Sequence, residues 1–78
     1  MRLVEIFGAN VRRVRLQRGM TLEALATEVD LAYSYMGGIE RGQRNPSLNV
    51  VERIAKALDS DAQTLLRATS ARSEPADR

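Results

Sequence analysis

Residues 21–42 read Thr21-Leu-Glu-Ala-Leu-Ala-Thr-Glu-Val-Asp-Leu-Ala-Tyr-Ser-Tyr-Met-Gly-Gly-Ile-Glu-Arg-Gly42, and the fold of the chain turns on this stretch. Thr21 suits an N-cap, because its hydroxyl can accept from the free N–H groups of a first helical turn. Glu23 follows where a carboxylate favours the positive end of a helix. Leu22, Leu25, Ala26 and Val29 recur at helical spacing and form one apolar face. The run Val29-Asp30-Leu31 breaks the pattern. Asp30 falls where a left-handed residue reverses a chain, and Asp tolerates that region better than most residues with a side chain. A second helix is predicted from about Ala32, with Met36 and Ile39 buried and Gly42 closing it. The small Ala26 lets the two helices cross closely.

Two short helices that share a core and leave one helix protruding make a helix-turn-helix. In that motif the second helix enters the major groove and its N-terminal residues reach base edges. Those residues are Tyr33 and Ser34, with Gly37 and Gly38 one turn later. Ser34 can donate to or accept from a base edge. Tyr33 can stack on a sugar, touch a thymine methyl or bond a phosphate. Adjacent glycines inside a helix cost roughly 1 kcal/mol each relative to alanine. They predict a close approach of the helix backbone to DNA or to a neighbour, rather than a relaxed exposed face. Without a side chain at Gly38, base preference rests on few contacts and on DNA shape.

Outward from the motif, Leu3 to Arg18 reads as a first helix with a core stripe of Leu3, Phe7, Val11 and Val14, flanked by Ile6. Arg12, Arg13, Arg15 and Arg18 fall largely on the other side, as a solvated face with some members near phosphate. Gly19 ends this helix and Met20 packs beneath the turn. Gln43 to Pro46 is a polar loop, and Pro46 stops any continuation of the preceding helix. Ser47 caps a helix from Leu48 to Leu58, in which Leu48, Val51, Ile54, Ala55 and Leu58 are spaced for burial. Val50 lies off that stripe. Asp59-Ser60-Asp61 breaks the chain again, and Asp61 is the expected N-cap of a last helix from Ala62 to about Arg67. Leu65 and Leu66 are adjacent, so only one of them can face the domain.

The expected fold is all-α with five helices in one domain over residues 1–69. Residues 70–78, SARSEPADR, are too polar to offset their ordering entropy and are expected to be a disordered tail. A chain of 78 residues has a modest core, which dimerisation commonly enlarges. Val50, Ala62, Leu65 and Leu66 are the candidate two-fold patch. The chain has no Cys and no His, which removes disulfides, zinc-finger ligands and His-based catalysis. Its carboxylates Glu23, Glu28, Asp30 and Glu40 make no metal-binding or nucleophile–base spacing. No enzyme activity, metal or cofactor is expected. No apolar run reaches membrane-spanning length and the N-terminus is not a signal peptide, so the expected location is cytoplasmic. The net charge of +2 is a weak argument for nucleic acid. Eleven Arg against one Lys favour planar recognition of phosphates and guanine edges, although genome composition produces the same bias.

Several runs resemble the lambda-repressor-like helix-turn-helix family in register. They are Ile39-Glu40-Arg41-Gly42, Asn45-Pro46-Ser47-Leu48, Ile54-Ala55-Lys56-Ala57-Leu58, and upstream Phe7-Gly8, Val11-Arg12, Val14-Arg15 and Arg18-Gly19. The resemblance covers about Leu3 to Leu66. Within the family, Tyr35 to Leu48 is most similar to controller proteins of restriction–modification systems. The resemblance implies base-reading positions at Tyr33, Ser34 and Gly38, a base contact at Arg44 and a phosphate contact at Asn45, with Gln43 a further phosphate candidate; Arg41, beside the same loop, can reach a phosphate or enter a groove. Tyr35 matches a tyrosine common in controller proteins near the DNA backbone, or else is a half-buried packing residue. Glu40 is implied to pair with Arg15 as a structural ion pair. The chain departs from the family at Leu22, where a Gln often bonds phosphate, at Ala32, which replaces a Ser or Thr cap, at Asp30 and Asp59, where Gly is frequent, and at Ser60, which replaces an apolar residue.

The implied function is a transcriptional regulator that binds double-stranded DNA as a homodimer on a two-fold symmetric operator, as the controller of a restriction–modification system. Pairs of dimers on DNA and RNA polymerase are candidate further partners. A phage-type repressor and an antitoxin-like interaction module are the alternatives. The short, apolar-poor tail favours the regulator over the antitoxin.

Overall fold

A computed structural model describes residues 2–68. The expected tail from Ser70 and the last residue of the expected domain, Thr69, lie outside the described residues. Five helices follow in order: α1 Leu3–Gln17, α2 Leu22–Glu28, α3 Tyr33–Glu40, α4 Leu48–Ala57 and α5 Ala62–Leu66. Among the described residues there is no strand. Helix α1 packs on α3 and α5, α2 packs on α3 and α4, and α4 packs on α5.

The first four helices stop in the same way. In each, the residue after the C-cap takes a left-handed conformation, at Gly19 (φ 70°), Asp30 (φ 59°), Gly42 (φ 74°) and Asp59 (φ 52°). The next N–H then reaches back to a carbonyl five residues earlier. These bonds are Met20 to Arg15 (3.1 Å), Leu31 to Ala26 (2.9 Å), Gln43 to Gly38 (2.8 Å) and Ser60 to Ala55 (2.8 Å). They satisfy carbonyls that a helix end otherwise leaves free. The starts are less uniform. Thr21 Oγ1 accepts from Ala24 N at 3.0 Å and Ser47 Oγ from Val50 N at 3.2 Å. Asp61 precedes α5 but caps no backbone N–H. Its carboxylate instead accepts from the Thr64 hydroxyl at 3.3 Å.

The core is formed by Phe7, Val11, Leu25, Ala26, Val29, Met36, Ile39, Val51, Ile54, Ala55, Leu58 and Leu65. Two stripe positions expected inside are not. Leu3 is 55% exposed and Leu48 is 79% exposed. Each is the first residue of its helix, so no preceding turn of that helix lies beneath it. Leu65 also corrects an expectation. It is fully buried in the domain core, so it cannot belong to a surface patch, and Leu66 is the leucine of the pair left half-buried.

Polar groups tie the layers together. Asn10 is buried on α1 and donates through Nδ2 to the carbonyls of Leu65 and Arg67, both at 2.8 Å. It thereby holds the end of α5 against α1. The Arg53 guanidinium of α4 donates to the Val29 carbonyl at the end of α2. Gly8 lets α1 cross the end of α3 in direct backbone contact, because a Cβ there would overlap the Ile39 carbonyl oxygen.

Candidate nucleic-acid interface

Helix α3 has one face committed to the core, through Met36 and Ile39, and its first turn open to solvent. Tyr33 is 60% exposed and Ser34 is exposed. Ala32 precedes them without a side-chain cap, which leaves first-turn N–H groups for water or a phosphate oxygen. With side chains an α-helix is about 10–12 Å across, which a major groove about 12 Å wide admits.

The attitude of α3 is set at its other end. Glu40 is its last residue, and its carboxylate accepts from Arg15 of α1, from Nε at 2.6 Å and from Nη2 at 2.9 Å. Both side chains are buried. Arg15 Nη1 also donates to the Met20 carbonyl at 2.8 Å, so one guanidinium joins α1, the α1–α2 turn and α3. The hydrogen bonds to Glu40 raise the Arg15 pKa above its ordinary value, and burial opposes this only in part. The fork geometry of two parallel N–H···O bonds fixes orientation as well as distance.

The loop after α3 folds back on the helix. The guanidinium carbon of Arg44 lies 5.9 Å from the centroid of the Tyr35 ring, within range of a cation–π attraction. Arg41 Nε donates to Gln43 Oε1 at 3.2 Å. Both glycines of α3 are covered: Gly37 by Arg41 and Leu22, and Gly38 by Arg44. The close approach that these glycines predict is therefore made, in the free chain, by the chain's own side chains. Tyr33, Ser34, Tyr35, Arg41, Gln43 and Arg44 thus belong to α3 and the loop laid against it, with exposed Asn45 next in the chain.

Leu66 lines an apolar groove with Leu3, Val4, Pro46 and Leu48, and Val50 and Ala62, the other members of the expected patch, are half-buried and not among that groove's lining residues. The periodicity that assigned Leu3 and Leu48 to the core marked apolar positions without showing which lay beyond the reach of a neighbouring helix. For Asn10 the sequence offers one signal, a polar residue three positions after Phe7 on the buried stripe.

The helix-turn-helix family pattern matches residues 11–65. Control protein C.BamHI of Bacillus amyloliquefaciens is 46% identical over 66 residues, which span 83% of this chain and 82% of that protein. The restriction–modification controller protein C.AhdI of Aeromonas hydrophila has the same fold, with a TM-score of 0.76 at 42% identity over 80% of this chain and 94% of that one. A third controller protein, C.Esp1396I, was crystallised as a tetramer in complex with its natural 35 base-pair operator. It superposes with a TM-score of 0.74 at 32% identity, over 83% of this chain and 86% of that one.

Proposed function

Since this chain belongs to the helix-turn-helix family, as a DNA-binding transcriptional regulator most similar to restriction–modification controller proteins, we propose that it is such a controller and binds a two-fold symmetric operator as a homodimer. The observation that carries this reading is the surface formed by α3 and its following loop. An uncapped, exposed first turn and two arginines meet on one helix whose attitude a buried ion pair holds. In this arrangement Tyr33 and Ser34 face base edges and Arg44 contacts a base. Arg41, Gln43 and Asn45 serve the phosphates, and Tyr35 stands between the two sets. A dimer would place two copies of α3 in successive major grooves about 34–36 Å apart. In this reading the dimer patch is Leu66 with the exposed Leu3 and Leu48, which share its groove. Val50 and Ala62 are secondary to it. The operator-bound tetramer of C.Esp1396I supports pairing of dimers on DNA as well.

Selection of a duplex from a random-sequence pool, followed by footprinting, tests the reading. The expected result is a palindromic site with half-sites one helical turn apart, and binding that weakens steeply with salt as condensed counterions are released. Arg44→Ala is expected to cost about 1–3 kcal/mol and to relax preference at one base position. An equal loss on selected and random duplexes makes Arg44 a phosphate contact instead. Failure to enrich any sequence overturns the regulator reading. Methyltransferase and endonuclease genes beside its own would support the controller role, and phage genes would replace it.

A further inference from the structure

The neighbour that fills the space above Gly38 is the loop arginine itself. A Cβ added to Gly38 would stand 2.7 Å from Arg44 Cγ, 3.3 Å from its Nε and 3.5 Å from its Cδ. The stem of Arg44 therefore runs along bare helix backbone where any other residue would push it away. Farther out, its guanidinium is near the ring of Tyr35, which is three positions before Gly38 and hence its neighbour on the helix surface. The loop is drawn into this position by the backbone bond from Gln43 N to the Gly38 carbonyl at 2.8 Å. The left-handed Gly42 makes that bond possible. Backbone, glycine and ring all act on one side chain. Gly37 is a weaker counterpart. A Cβ there would meet the tip of Arg41, with Nη1 at 3.1 Å, and a tip can swing aside.

We propose that Gly38 is a positioning residue for Arg44: it opens a track on α3 that, with the ring of Tyr35, orders this arginine on the DNA-reading face before DNA arrives. The proposal rests on the reading that α3 and its loop face DNA. Its physical basis is conformational entropy. Arginine loses a large side-chain entropy when it is held in one geometry, and a side chain already ordered in the free protein loses less on binding. A glycine inside a helix is otherwise unfavourable, and this role accounts for its presence.

The test is a double-mutant cycle on Gly38→Ala and Arg44→Ala. The probe is a duplex that the wild-type protein selects from a random-sequence pool, with unselected duplex as control. Gly38→Ala is expected to bind the selected duplex about threefold to tenfold more weakly, the effect of immobilising one rotamer-rich side chain at the moment of binding. Its melting temperature should change little, because the gain from alanine as the better helix former is set against displacing the Arg44 stem, whose Cγ lies 2.7 Å from the added Cβ. In the Arg44→Ala background the same substitution should change affinity little. Gly37→Ala should have the smaller effect on binding. A readout without DNA accompanies the cycle: the Arg44 side-chain protons should show ring-current shifts from Tyr35 that disappear in Gly38→Ala. An equal loss of affinity in both backgrounds would assign Gly38 to direct contact with DNA and overturn the proposal. Unchanged affinity in Gly38→Ala, or ring-current shifts that persist in it, would also overturn it. A wild-type protein that selects no duplex would fail at the functional reading itself, an outcome separate from either of these.

Discussion

The Arg15–Glu40 pair shows how one contact can serve the whole site. Two charges leave water here, and their attraction offsets that cost only because both forks are bonded and a third N–H of Arg15 finds the Met20 carbonyl. Removing one partner leaves the other charge buried and alone. Arg15→Ala is therefore expected to lower unfolding free energy by about 3–5 kcal/mol, measured by urea denaturation. Arg15→Met with Glu40→Leu should recover most of that loss, short of the bond to Met20. If the single and double variants are equally unstable, the pair is not what holds α3. The sign of the pH effect follows from the raised pKa of Arg15. Its contribution is complete below the ordinary arginine value and is lost only as pH rises through the raised one. Titration across the neutral range leaves this contribution intact.

Helix α5 is only five residues long, too short to persist by its own propensity. Two features keep it in place. Leu65 fills the core, and Asn10 takes up carbonyls at its C-terminal end. Asn10→Ala leaves the buried Leu65 carbonyl without its donor, and it should cost about 1–3 kcal/mol. The loss should be local: amide exchange of α5 should accelerate more than that of α2 or α3. Uniform acceleration across all five helices would mean that α5 unfolds only with the rest of the domain. The four left-handed helix ends belong to the same scale. Two of them were readable as Gly, and Asp30 as a tolerated substitute, because the position demands a backbone conformation and few side chains accept it.

For the whole molecule, the question is what covers the leucines that the core leaves outside. A domain this small has few aliphatic side chains to spare, yet Leu3 and Leu48 are largely exposed and share a groove with Leu66. Sedimentation equilibrium on Leu48→Asp should show a folded protein whose dimer is weakened about thirtyfold or more, the effect of losing a hot-spot residue worth about 2 kcal/mol. Operator binding should fall with it, because the two recognition helices would no longer be held at a fixed separation. Leu65→Asp should instead unfold the domain, since that side chain is in the core. A Leu48→Asp protein that remains fully dimeric would place the interface elsewhere.

The chain order of helices, their boundaries to within a residue or so, the reversal at Asp30 and the arginine-bearing loop after α3 were all legible in the sequence. Each is governed by local physics: apolar spacing, caps, and residues that tolerate a left-handed backbone. Periodicity could say that Leu3, Leu48 and Leu65 were apolar positions on helices, and no more. Which of them is covered depends on where the other helices end, and that is decided only when all five are packed: Leu65 went inside, while the two leucines at helix starts stayed out. The same limit applied to the glycines of α3. Their presence signalled a close approach, but the approaching groups are Arg41 and Arg44, brought back by a turn whose path no local pattern specifies. Contacts between residues near in sequence were written in spacing. Those that depend on a chain reversal or on a third helix existed only once the tertiary structure had formed.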